Sequence, residues 1–183
     1  MVITEYNNEW PAWFISIKKE LCKYIKTYTS IEHVGSTAIQ GMCAKPVIDI
    51  DIVIDTVHDF QKIKEELESA GYFHNGDQGI AGREAFNKNN RDDKILDAIR
   101  HNLYVCAKDS EELKRHILFR DYLNRHRDAM IEYYNIKQEI IGKYGNEDRK
   151  KYVSVKEEEY TWYFKKIISL AKASIDSADK PSL

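Results

Sequence analysis

From Pro46 to Asp55 the chain reads PVIDIDIVID, an alternation of apolar and acidic positions that predicts the strongest strand of the sequence. Ile48, Ile50, Ile52 and Ile54 fall on one face of such a strand and Asp49, Asp51 and Asp55 on the other. Upstream, Phe14, Ile17, Leu21, Tyr24, Ile25 and Tyr28 repeat at helical spacing and predict a helix over Trp10–Tyr28, with Pro11 suited to its first turn. Ile31–Val34 reads as a short strand that gives way to the turn Gly35-Ser36-Thr37.

Phe60, Ile63 and Leu67 predict a helix over Asp59–Ala70 that ends at Gly71. The glycine-rich stretch Tyr72–Asp93 reads as loops around an extended pair, with a strand at Arg83–Asn87, and His101–Ala107 is a further strand. Beyond Ser110 the pattern turns helical. Leu113, Ile117, Tyr122, Met130, Tyr133, Tyr134, Ile140 and Ile141 give two helices, and a third is expected near Ser154, where Ser154 and Glu157 have capping-box spacing. No Pro/Gly/Ser-rich linker divides the halves, so a single domain over 1–175 is expected, mixed α/β over about 1–108 and helical over about 109–175, with a loose tail at 176–183.

Composition sets bounds on this picture. A chain of 183 residues is long enough for a core without staples, and 28 basic against 30 acidic residues leave no whole-chain field for nucleic acid or an anionic membrane. The three cysteines, Cys22, Cys43 and Cys106, are scattered and form no C-x-x-C pair, which suits a reducing compartment. No secretory profile opens the chain and no run approaches the roughly 20 apolar residues that span a bilayer, so a cytoplasmic protein is expected.

The chemistry gathers around the central strand. Asp49 and Asp51 stand about 7 Å apart along one face, so both carboxylates can lean onto one magnesium ion, which takes hard oxygen ligands and leaves room for substrate phosphates. The plainer alternative is a strand turning its polar face to water. Gly35 and Ser36 supply close backbone approach and a hydroxyl for phosphate, or else an ordinary turn and cap. Lys45 can steady a phosphate as a point charge or lie solvated, and His33 can titrate at the site or simply pack.

The stretch IEHVGSTAIQGMCAKPVIDID, Ile31–Asp51, resembles the signature of the GrpB family, a relative of the nucleotidyltransferase superfamily that includes DNA polymerase beta. The resemblance extends to Tyr6, Trp10, Gly71-Tyr72, Gly82–Phe86, His101–Val105, Phe119–Leu123, Lys137, Tyr152 and Lys156. It implies an α+β fold of the nucleotidyltransferase-like kind, a small mixed or antiparallel sheet flanked by helices with a helical C-terminal part. It also implies that Gly35, Ser36 and Thr37 hold nucleotide phosphate, and that Asp49 and Asp51 hold magnesium.

One part of that pattern is missing: active relatives complete the metal site with a third carboxylate from a neighbouring strand, and His101–Ala107 contains no acid. Glu84 is the first substitute, provided its strand lies beside Asp51 and Arg83 does not pair with it; Asp93 and Asp97 follow. His101 or His33 would then serve as base. Arg83 and Lys45 would line the phosphates, Arg120 would reach a phosphate or pair with an acid, and the tyrosines of the helical half would stack on a base or build core. The expected function is magnesium-dependent transfer of a nucleotidyl group from a nucleoside triphosphate to an unspecified acceptor. The alternative is a non-catalytic nucleotide or phosphate-metabolite binding module. Membrane and nucleic-acid partners are not expected, and the sequence is silent on oligomeric state.

Overall fold

The computed structural model describes residues 2–89 and 93–178. Its elements run α1 (Trp10–Tyr24), β1 (Ser30–Val34), β2 (Ile48–Ile54), α2 (Phe60–Ser69), β3 (Tyr72–His74), β4 (Glu84–Lys88), β5 (His101–Ala107), α3 (Glu111–Arg125), α4 (Arg127–Tyr144), α5 (Arg149–Glu159) and α6 (Thr161–Ala178). The strands form one mixed sheet in the order β1-β2-β5-β4-β3. Only β2 and β5 are parallel; the β1–β2, β5–β4 and β4–β3 pairs are antiparallel. This is the α+β arrangement expected, with α2, β3 and β4 supplying the long connection that parallel neighbours require.

Among the described residues three hydrophobic clusters build the molecule, the first of them on one side of the sheet. On the isoleucine face, Ile48, Ile50, Ile52 and Ile54 pack with Trp10, Ile17 and Leu21 of α1 and Ile63 and Leu67 of α2. The second cluster belongs to the helical half: Tyr133, Ile136 and Ile140 of α4, Tyr152 and Val155 of α5, and Tyr163 and Ile167 of α6 close over Ile39, Met42 and Cys43, the segment that joins β1 to β2. Val53, which shares the aspartate side of β2, packs under α3 against Cys106 and Leu113. The acidic face of β2 is therefore roofed by helices instead of facing water, and Asp51 is fully buried.

Several boundaries move from their expected places for visible reasons. Helix α1 stops at Tyr24, four residues early, because the Glu66 carboxylate of α2 accepts the backbone N–H groups of Lys26 and Thr27 and holds that segment extended. The last helical stretch is two helices, not one. α5 starts earlier, capped by Asp148, which accepts from the Lys151 N–H, so Ser154 lies inside a helix and bonds Glu158 instead of capping. α6 runs on to Ala178, over the start of the expected tail, whose residues 179–183 lie outside the described residues. Among the described residues, no helix is long and apolar enough to cross a membrane.

Candidate functional site

The turn after β1 sets the geometry. Gly35 has φ +72°, and a Cβ built there would fall 2.3 Å from Asp49 Oδ2, so only glycine allows the turn to lie against that carboxylate. The next three residues, Ser36–Ala38, form a single 3₁₀ turn. Thr37 is buried, its hydroxyl within 2.9 Å of His33 Nε2, and His33 stacks on Phe14. Burial, helped by the nearby Arg120 charge, drives the His33 imidazole down to about 4. His33 is thus a neutral prop for the turn. Arg120 is a tie as well: it bonds Glu32, Asp121 and the His33 carbonyl, fastening α3 to β1.

The two aspartates are individually held. Asn102 of β5, directly opposite Asp49 in the register, donates to Asp49 Oδ1 at 2.7 Å. Burial raises the Asp49 carboxyl, while Asn102 and the charge of His116 oppose that rise. Asp51 Oδ2 lies 2.7 Å from His116 Nδ1 of α3, and its Oδ1 is buried with no hydrogen-bond partner among the described residues. His116 Nε2 is 3.2 Å from Glu112. Burial by itself would depress this imidazole; the bonds to Asp51 and Glu112 override it and hold His116 up at about 9, an imidazolium between two carboxylates. Neither residue stood out in the sequence, although Glu112 and His116 are four apart and so share a helix face.

Above the acids lies a cluster of cations. Lys45, Lys137, Lys156 and Arg149 line one cleft with Ser36, Thr37, Asp49 and Asn102. Ion pairs are plentiful elsewhere in the protein, yet among the described residues none of these four side chains takes part in one. Lys137 is buried; its Nζ lies 2.7 Å from both Ser36 Oγ and the Cys43 carbonyl and 4.7 Å from the centre of the Tyr133 ring. Burial pushes Lys137 down to about 7 and Lys45 down to about 8, each helped by neighbouring positive charge, and depresses Lys156 as well. This cleft, about 190 Å³, opens into a larger one of about 450 Å³. The two share Ser36, Asp49, Tyr133 and Lys156, and the larger adds Phe119, Phe164, Arg83, Arg115 and His116. The first is below the usual range for a small-molecule site, and the second lies within it.

The expected residues divide by strand register. Gly35, Ser36, Thr37, Lys45 and Asp49 line the two clefts, whereas Asp51 lies deeper on the same strand face, fully buried and lining neither; Arg83 reaches the larger cleft with its guanidinium stacked 4.2 Å from the Tyr104 ring centre. Glu84 and His101 do not join them. Glu84 pairs with Val105 and His101 with Ile48, so both belong to the isoleucine side of the sheet. There Glu84 Oε2 is 2.6 Å from His74 Nε2, and His101 Nε2 is 2.6 Å from the Tyr72 hydroxyl. Asp97 is bonded to Lys88 and Asp93 caps the following turn, so neither supplies the third carboxylate. On β5 the two positions level with Asp49 and Asp51 are Asn102 and Tyr104. Among the described residues no group of three or more His, Cys, Asp or Glu side chains could hold a metal ion.

Fold and cleft together define an α+β protein whose five-stranded mixed sheet carries two acids on one face, Asp49 in the cleft and Asp51 buried behind it, beneath a helical layer that brings basic residues with no ion pair among the described residues to the same cleft. The chain belongs to the GrpB protein family, whose profile matches residues 1–166. It is 32% identical to the glutamate-rich protein GrpB of Alkalihalophilus pseudofirmus over 150 residues, 81% of this chain and 85% of that protein. It is 31% identical to the UPF0157 protein YqkA of Bacillus subtilis over 140 residues, 76% of this chain, and spans 39% of that longer relative. The crystal structure of conserved protein GrpB from Enterococcus faecalis superposes with a TM-score of 0.76, covering 95% of this chain and 99% of that one at 24% identity, and supports the fold.

Proposed function

We propose that the cleft is a binding site for the phosphates of a nucleotide or a similar phosphate metabolite, with the phosphates at Ser36 and the remainder of the ligand in the larger cleft. The observation that carries this reading is the gathering of Lys45, Lys137, Lys156 and Arg149 around Ser36, none of them in an ion pair among the described residues. Lys137 is buried and Lys45 and Lys156 partly so, while Arg149 is exposed at the rim; basic groups held out of water without an ion pair either give up their proton or cost stability, and a dianionic ligand restores their charged form. Gly35, which lets the turn approach Asp49 so closely, gives a phosphate the same access.

Asp49, which lines both clefts, is the carboxylate open to a magnesium ion with a phosphate as co-ligand; the Asp51 Oδ1 has a free lone pair but lies fully buried behind it and lines neither cleft, so it would join only if the covering helix gave way. Such an ion, held by Asp49, would neutralise phosphate oxygens. The donors do not fit the three-carboxylate, two-metal arrangement, because Asn102 and Tyr104 occupy the neighbouring strand and His116 already covers one Asp51 oxygen. Binding without transfer is the reading this favours. Nucleotidyl transfer stands second, supported by the unpartnered Asp51 oxygen.

Isothermal titration with ATP, first in EDTA and then with magnesium, tests the proposal. We expect binding in both, tightened by the ion; Asp49→Asn with Asp51→Asn removes the tightening, and Lys45→Met with Lys156→Met weakens binding at least about tenfold, roughly 1.4 kcal/mol. No binding by wild type, or full affinity in the lysine variant, refutes the site. Pyrophosphate released from labelled ATP would replace the binding reading with transfer.

A further inference from the structure

We infer that Lys137 and Ser36 form a proton-operated latch, so that phosphate binding in this cleft takes up a proton at Lys137 and thereby turns the Ser36 hydroxyl toward the ligand. The inference rests on the phosphate-site reading above and specifies how that site is regulated. It begins with a count of protons. Ser36 carries one hydroxyl hydrogen, and its Oγ lies 2.7 Å from Lys137 Nζ; the same nitrogen lies 2.7 Å from the Cys43 carbonyl, which can only accept. A neutral amine has one lone pair, so it accepts from the Ser36 hydroxyl and donates to Cys43. An ammonium has none, so it donates to both and releases the serine hydrogen for another acceptor. The Tyr133 phenol also reaches the Ser36 hydroxyl, and its oxygen can donate or accept. The protonation state of Lys137 thus decides whether the serine hydrogen is tied to that nitrogen or released toward a phosphate oxygen, with Tyr133 as the donor that can hold the serine oxygen in either state.

The surroundings favour the neutral amine in the absence of an anion. Lys137 is buried and, among the described residues, has no ion pair. The groups around it are the Tyr133 phenol on its own helix, the Cys43 thiol below, Asp49 on β2, and the cations Lys45, Lys156 and Arg149. Burial is the main cause that lowers this lysine to about 7, and Lys45 and Lys156 add to it, while Cys43 and Asp49 pull the other way. A phosphate seated at Ser36 places a dianion beside the amine, the change of environment that favours its charged form. Cys43 stays a thiol, its own ionisation pushed upward by burial.

Titration calorimetry of ATP into the full chain at about pH 8 decides the matter. The second ionisation of a phosphate lies near 6, so the ligand itself then exchanges few protons. Repeating the titration in buffers of different ionisation enthalpy should show uptake of about one proton per ATP, and Lys137→Met should lose most of it, leaving the smaller share of Lys45. Binding heat that does not depend on the buffer overturns the latch while leaving the phosphate site intact; uptake undiminished in Lys137→Met does the same. No ATP binding at any pH removes both. Carbon NMR of wild type labelled at lysine Cε gives an answer that needs no variant: the latch requires a lysine that titrates near neutrality without ligand and becomes protonated at pH 8 when ATP is added. A protein in which every lysine titrates above about 9 has no latch.

Discussion

Replacing Lys137 by methionine should change the pH dependence of folding in a way that can be worked out beforehand. The wild-type amine is lowered from 10.5 to about 7 by burial. The folded state therefore binds fewer protons than the unfolded state between those values, and stability rises with pH across that window. Integrating the two titrations gives a penalty of about 5 kcal/mol near pH 6.5 and about 2 kcal/mol near pH 9, a gain of roughly 2–3 kcal/mol over the interval. Methionine has nearly the same length and no charge, so the variant lacks this slope. It also leaves Ser36 Oγ and the Cys43 carbonyl without their common partner, an offset of about 1–3 kcal/mol per unsatisfied group that does not vary with pH. Urea unfolding of both proteins from about pH 6.5 to 9 reads the effect as a difference, in which contributions common to the two cancel. The wild type should gain on the variant by roughly 2–3 kcal/mol as pH rises. A difference that stays flat, or that shrinks, would mean that the buried lysine keeps its proton throughout, and the reasoning would fail.

The other predictions concern neighbouring groups. His116 titrates with the opposite sign: raised to about 9 in the fold, it contributes up to about 3 kcal/mol that is fully present below about pH 6.5 and is lost as pH rises through 9. His116→Gln should therefore be most destabilised at the acid end by urea unfolding, and a deficit that grows with pH would contradict the Asp51–His116–Glu112 arrangement. Gly35→Ala must place a methyl group 2.3 Å from Asp49 Oδ2 at φ +72°, so a loss of at least about 1–3 kcal/mol in thermal or urea unfolding is expected together with loss of ATP binding. Glu84→Gln and His101→Gln, on the far face of the sheet, should leave magnesium-dependent ATP binding by calorimetry unchanged; a loss in either would challenge the strand register.

How much of this was legible in the sequence depends on the range of the interaction involved. The alternation of PVIDIDIVID gave both faces of β2, and Gly35-Ser36 beside it located the turn, because strand pleat and turn chemistry are local. Which face was covered was not local. Asp51 looks like a solvent-facing residue until α3 is laid across it, and the pairing with His116 spans 65 positions of the chain. The same limit explains Glu84 and His101. Their chemistry suited the site, but a strand's side chains change face at every residue, and only the pairing of β4 and β5 fixes which face those two occupy. Lys137 and Lys156 could be picked out within the family-like motifs, but nothing local placed them over Ser36. Their approach comes from the packing of α4 and α5 against the 39–43 segment.

That packing gives the cleft an unusual mechanical ownership. Its floor is made by the sheet and its ceiling by α4 and α5, and each belongs to a separately consolidated hydrophobic cluster. The spacing between them is therefore fixed by how well two layers mate, much as the gap of a calliper is fixed by its pivot. Ile140 and Tyr163, both fully enclosed in the helical cluster, hold the ceiling together. Trimming either one would alter how firmly the jaws grip without touching anything they hold.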